Sequence, residues 1–314
     1  MLAAIAPALA PSLAAAADTW PRQPLRLIVG FPGGSTPDMV ARTLAAPLSQ
    51  ALGQPVIVEN KPGASGNIAA DVVAKATDDH TLGVLINGNL TTARLLQPQL
   101  PYDPATDFTP LSLLTTAPLV LVAPASLPGG AAFFAQARAE GSRWNYGSVG
   151  VGSLGHLGME LLKTRVPGLA PVHVPYAGNP QIITAMLGGE VQMALMPPGL
   201  ALPQVQGGTL RAIAVAGPRS PLMPGVPALD ELGVRGVTLD VWTALVGPAR
   251  LSPAALARLQ AALAHVMAEP AVRAQLTRQG WQPVGSDAAT LRARLQRETT
   301  LMHDLIRTRG LQLD

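Results

Sequence analysis

The feature that most limits what this chain can fold into is the regular alternation of short β-rich runs with helix-forming segments, punctuated by Gly and Pro. Leu25 to Phe31 reads as a strand and stops at Pro32-Gly33-Gly34, after which Thr36 serves as an N-cap, Pro37 as the first helical residue and Asp38 as a first-turn acid. Val40, Leu44, Leu48 and Leu52 then recur every four residues up to Gly53, which predicts an amphipathic helix, kinked at Pro47. Val56 to Glu59 is a second strand, Asn67 to Ala76 a second helix and Thr81 to Ile86 a third strand. Strand-helix-strand succession of this kind demands right-handed crossovers and a mostly parallel sheet.

A second series begins near Ser126: strands at Trp144 to Tyr146, Val172 to Val174, Val191 to Leu195 and Leu210 to Ala216, with helices at His156 to Thr164 and Pro180 to Leu187. Apolar runs at Leu119 to Ala123 and Val237 to Val246 are read as strands crossing between two lobes, and three amphipathic helices close the chain. The expected organisation is therefore residues 18–123 with 237–314 as the first lobe, holding both termini, and 124–236 as the second. With 314 residues, nearly half of them apolar, there is enough chain for two such cores.

Residues 1–17 are apolar, Ala-rich and end at Ala15-Ala16-Ala17 before Asp18-Thr19, although no Lys or Arg precedes the run. They read as a signal peptide with an atypical n-region, and imply a periplasmic protein. The absence of cysteine excludes disulfides, thiolate metal sites and a lipobox. A formal charge of +3, without a basic stripe, argues against nucleic acid, and the five His residues show no paired metal spacing. Neither metal nor cofactor is implied.

Two glycine-rich turns stand out. Gly150-Val151-Gly152-Ser153-Leu154-Gly155 matches G-x-G-x-x-G between a strand and a helix, but no Asp or Glu lies between Glu160 and Glu190 to hold a ribose, so a dinucleotide is disfavoured. The turn still exposes backbone N–H groups at a helix start, as does Phe31 to Asp38, and such turns bind anions. Neither contains Lys or Arg, so an anion there is expected to be held by N–H groups, hydroxyls and helix dipoles.

The chain resembles the extracytoplasmic solute receptors of the tripartite tricarboxylate transporters, typified by the Bordetella uptake proteins. The resemblance rests on Pro24 to Val29, Gly33 to Asp38, Gly53 to Ala64, Leu100 to Pro104, Asn145 to Ser148, Gly152-Ser153, His156-Leu157, Val172 to Tyr176, Leu187 to Gly189 and Leu210 to Ala212, in order. It implies a type II periplasmic-binding fold, two α/β lobes joined by two crossover strands around a ligand cleft, and a monomer that captures a small carboxylate for membrane subunits without chemical conversion.

The residues it assigns to the ligand are Phe31, Gly33, Gly34, Ser35, Thr36, Asp38, Asn87, Gly88, Asn89, Ser148, Gly152, Ser153, His156, Tyr176 and Gly178. Where many relatives place an aspartate facing the cleft, this chain has Leu195-Met196-Pro197-Pro198, so Met196 is expected to give an uncharged wall and a ligand without an amine. The alternatives are an amide or ester hydrolase, although the second turn falls one residue short of G-x-S-x-G, and a sensor lobe feeding a signalling partner.

Overall fold

A computed structural model of the chain describes residues 20–309; the signal-peptide reading falls on residues outside that range. In chain order the elements are β1 (Leu25–Val29), α1 (Thr36–Leu52), β2 (Val56–Asn60), α2 (Asn67–Ala74), β3 (Thr81–Ile86), α3 (Ala93–Leu96), β4 (Phe108–Pro118) and β5 (Val120–Pro124). They continue as α4 (Gly130–Glu140), β6 (Asn145–Ser148), α5 (Leu154–Arg165), β7 (Val172–Pro175), α6 (Asn179–Leu187), β8 (Met193–Met196), α7 (Pro198–Gln206) and β9 (Leu210–Val215). The last are β10 (Asp240–Pro248), α8 (Pro253–Ala268), α9 (Pro270–Arg278), β11 (Gln282–Pro283) and α10 (Ala288–Arg309).

These strands form two sheets. One has the order β11-β4-β10-β3-β1-β2 and the other β7-β6-β8-β5-β9. Strand β1 pairs in parallel with both β2 and β3, and β6 with both β7 and β8, as the alternation requires. Antiparallel partners complete each sheet: β10 against β3 and β4, and β5 against β8 and β9.

Along β1, Leu25, Leu27 and Val29 join the cluster that holds Val40, Leu44 and Leu48 of α1, while Ile28 joins the one that holds Ala70 and Val73 of α2. Both faces of the first sheet are thus buried, which is why its strands read as continuous apolar runs. Trp242 of β10 packs on the α2 side together with Leu291 of α10.

Sheet membership changes between Pro118 and Val120 and returns at Asp240. The backbones of Leu119, Ala216 and Leu239 are hydrogen-bonded side by side at this passage (2.8–3.0 Å).

Three local features refine the sequence reading. Helix α1 has Ser35 as its N-cap, one residue before the expected Thr36, and runs through Pro47 to Leu52, with Leu44, Leu48 and Leu52 buried. The polar stretch after β3 is a π-helical turn, Gly88–Thr92. The proline-rich stretch after β8 forms α7, since Pro197 and Pro198 occupy the N-cap and first helical positions, where no N–H is needed.

Candidate functional site

The carboxyl ends of β1, β3, β6 and β8 open onto one cleft between the two sheets, the usual ligand position of open α/β sheets. Ser35, Thr36 and Pro37 from the start of α1, Ser153, Leu154 and Gly155 from the start of α5, Asn179 from the start of α6 and Pro197 before α7 all line it. Four helix N-termini therefore converge on one space, and each brings the partial positive charge of a helix start. The rest of the lining is Phe31, Ile86, Asn87, Leu119, Val149, Leu195, Val241 and Trp281. No Lys, Arg, Asp or Glu is among these residues.

Four polar atoms in this wall have no hydrogen-bond partner among the described residues: Ser35 Oγ, Thr36 Oγ1, Asn87 Oδ1 and Trp281 Nε1. All four side chains are at most 4 % exposed. Buried polar groups are almost always satisfied, and leaving one unpaired costs about 1–3 kcal/mol, so four in one cleft mark it as built for something else to complete.

Of the residues expected from sequence, Phe31, Ser35, Thr36, Asn87 and Ser153 lie in this lining. The others are close by but engaged elsewhere. Asp38 accepts hydrogen bonds from Gly34 N–H (2.9 Å), Arg42 Nε (3.0 Å) and Asn60 Nδ2 (2.8 Å). Burial would raise its pKa, but these donors together hold it below the ordinary carboxylate value. Gly33 and Gly34 form the exposed outer side of that turn.

Asn89 donates to Ser65 O and Asn67 Oδ1, and with Gly88 and Gly152 it lines a smaller neighbouring pocket. Ser148 Oγ bonds Gly150 N–H and His173 Nε2, and His156 Nδ1 accepts from Gly152 N–H, so both are spent inside their own turn. Tyr176 is half-buried against the second-sheet core, and Gly178 packs beside Pro32. Met196 is fully buried in that core. Side chains alternate along a strand, so Leu195 and Pro197 face the cleft and Met196 faces away. The wall is apolar, but Met196 is not the residue that makes it so.

Sequence reasoning missed Trp281, Asn179 and most of the apolar wall. Trp281 reaches the cleft because Gly280, at φ +82°, turns the chain after α9 and lies directly against Gly199 of α7. A Cβ at Gly199 would stand 1.6 Å from Gln279 O, so only glycine permits this approach.

Two sheets linked by two passages of chain around a cleft lined by helix N-termini define a two-lobed solute-binding protein. Residues 40–311 match the family described as the tripartite tricarboxylate transporter family receptor, and the chain belongs to it. It is a periplasmic binding receptor and not an enzyme. Protein BugT of Bordetella pertussis is 33% identical over 95% of this chain and 92% of its own length. MatC from Rhodopseudomonas palustris with bound malate superposes with a TM-score of 0.86 at 31% identity, covering 91% of this chain and 100% of that one. The R. palustris protein Rpa4515 with adipate gives 0.88 at 31% identity, covering 93% and 98%.

Proposed function

We propose that this protein captures a small carboxylate without an amine in the cleft between its sheets and, as a monomer, delivers it to the membrane subunits of a tripartite transporter. In this reading the two lobes, 18–123 with 237–314 and 124–236, close on the ligand about the passages near Leu119 and Leu239. The observation that carries the reading is the convergence of four helix N-termini and three hydroxyl or N–H groups (Ser35, Thr36 and Trp281) on a cleft that contains no charged side chain. Donors without a fixed cation suit a carboxylate, since hydrogen bonds to a charged group contribute about 1.5–3 kcal/mol each. An ammonium would be buried there without a counter-charge, at a cost of several kcal/mol. The malate and adipate of the two R. palustris structures are acids of this kind.

A ligand that binds only the native state raises its stability by about 2.7 kcal/mol at a hundredfold excess over Kd. A thermal-shift panel of aliphatic and aromatic mono- and dicarboxylates should therefore contain at least one strong stabiliser. If aspartate or glutamate gave the largest shift and amine-free acids gave none, the amine-free assignment would be wrong. Silence across the whole panel would refute the carboxylate reading.

A further inference from the structure

We infer that the preferred ligand is a hydroxy acid, and that Asn87 selects its hydroxyl. This rests on the carboxylate reading above and adds the second functional group that the cleft asks for. Asn87 is 2 % exposed and follows β3, whose neighbour β1 leads into the Ser35–Thr36 turn. Its side chain can face the cleft with either its oxygen or its NH2, and the surroundings decide which.

On the side away from the cleft, its amide meets Glu298 Oε1 at 3.1 Å and the backbone oxygen of Asp240 at 3.4 Å. A carbonyl oxygen can only accept. Burial raises the pKa of the Glu298 carboxyl; Trp242 Nε1, donating to Oε2 at 2.6 Å, and Arg294, with Nε 3.4 Å from the same oxygen, act against this, and in the ionised form Oε1 accepts as well. The Asp240 carbonyl in every state, and Glu298 when ionised, require the NH2 on that side, so Oδ1 points into the cleft, where it has no partner among the described residues.

Among the four unpartnered atoms of the cleft, Trp281 Nε1 can only donate and the hydroxyls of Ser35 and Thr36 can donate, as a carboxylate requires. Asn87 Oδ1 can only accept. A carboxylate oxygen against it would be repelled, and a methylene would leave it unsatisfied; a hydroxyl satisfies it. Because β1 and β3 are adjacent, this acceptor stands beside the turn that takes the carboxylate, which places the hydroxyl near the carboxylate carbon. A site built to bond a hydroxyl rejects the analogue that lacks it more strongly than an apolar pocket rejects a missing methylene.

The test is calorimetric titration of the full mature protein with matched pairs: malate against succinate, lactate against propionate and 3-hydroxybutyrate against butyrate. The hydroxylated member of at least one pair should bind tighter by about tenfold or more, the effect of one hydrogen bond together with an orphaned acceptor. Asn87→Ala should bring that pair to within about threefold by weakening only the hydroxy acid. Glu298→Gln, which can offer a donor as well as an acceptor, should let the Asn87 amide turn over and narrow the preference likewise.

Equal binding within every pair in the wild type would overturn the hydroxyl assignment and leave the carboxylate reading standing. So would a preference that survives in Asn87→Ala, or aspartate binding tighter than malate. If none of the acids binds, both readings fail.

Discussion

The two glycine-rich turns share one plan. Each leads from a parallel strand into a helix, and each has a serine at the N-cap with nearly the same backbone: Ser35 at φ −71°, ψ 161° and Ser153 at φ −65°, ψ 155°. They use that serine differently. Ser153 Oγ accepts from His156 N–H and caps its own helix, whereas Ser35 Oγ has no hydrogen-bond partner among the described residues. The first turn can spare its serine because Asp38 ties it together from within, accepting from Gly34 N–H, while Arg42 and Asn60 neutralise and fix the carboxylate. In the second turn the polar groups of Ser148, Gly150, Gly152 and His156 are consumed by one another. The same motif therefore leaves an unpartnered hydroxyl on the cleft in one lobe and makes a self-supporting wall in the other. What separates them is the bookkeeping of hydrogen bonds, which residue type does not reveal.

The sharpest way to break this comparison is to remove the two hydroxyls one at a time. Ser35→Ala should raise the Kd of the best carboxylate by roughly 10- to 100-fold, the value of a hydrogen bond to a charged group, and leave the unliganded melting point unchanged. Ser153→Ala should do the reverse, lowering unliganded stability by about 1 kcal/mol through the lost cap and changing Kd less than Ser35→Ala does. Chemical denaturation and titration of both variants read the two quantities separately. Equal effects of the two substitutions on Kd would show that both turns contact the ligand alike.

A smaller effect is expected where the first lobe grips the second turn. Ser65 Oγ donates to Val151 O and Thr92 Oγ1 to Gly152 O, both at 3.1 Å, so two adjacent carbonyls of the wall are held from across the cleft. Ala64 and Ser65 are the only non-glycine residues with positive φ among the described residues (+47° and +57°), and that conformation is disfavoured for side-chain-bearing residues. If the grip stabilises the closed arrangement, removing it taxes every ligand equally. Ser65→Ala with Thr92→Val should weaken binding several-fold for hydroxylated and plain acids alike, at about 1 kcal/mol per bond. The same double variant should enlarge the radius of gyration of the unliganded protein in small-angle scattering. An unchanged Kd and radius would show that these bonds do not bias closure.

Much of this architecture is legible in the sequence, and the illegible parts have identifiable causes. The path from β1 to α1 could be read because Gly33-Gly34 ends a strand, Pro37 opens a helix and the leucine spacing continues it. Helix α7 was hidden because Pro197, Pro198 and Pro203 look like breakers, although two of them sit where a missing N–H costs nothing. Met196 was assigned to the cleft and Leu195 was not, since a short apolar strand carries no signal of which parity faces inward until its sheet is placed. Trp281 was beyond reach: it follows no motif, and it lines the cleft only through the approach of Gly280 to Gly199, a contact between elements 81 residues apart in sequence. That Asp38, Ser148 and His156 bond within the protein has one common reason for escaping the sequence. Polar residues in a glycine-rich turn look alike in sequence whether they face a ligand or one another.

The weakest expected effect sharpens the comparison from the side of the self-supporting turn. Its polar groups are backed by a stack of Tyr146, His156 and His173, with His156 and His173 ring centroids 4.3 Å apart, and by Glu160, which accepts from Tyr146 and Lys163. Burial lowers the pKa of His173 to about 4, helped by the neighbouring His156 ring, and burial likewise lowers that of His156. Lys163 pushes both further down while Glu160 acts against it. Both imidazoles are therefore neutral in the folded protein at a pH where the unfolded chain, with ordinary pKa values near 6.5, takes up protons. Between about pH 6.5 and 4 the unfolded state binds more protons than the native state, so stability falls as pH falls through that window. Protonating His156 also removes the acceptor for Gly152 N–H. Urea unfolding of the wild type from pH 7.5 to 4.5 should show this decline, and His173→Gln should flatten it. The first turn has no imidazole, so Ser35→Ala should leave the slope as it is. An unchanged slope in His173→Gln would place the titration elsewhere and remove the distinction drawn here between the two turns.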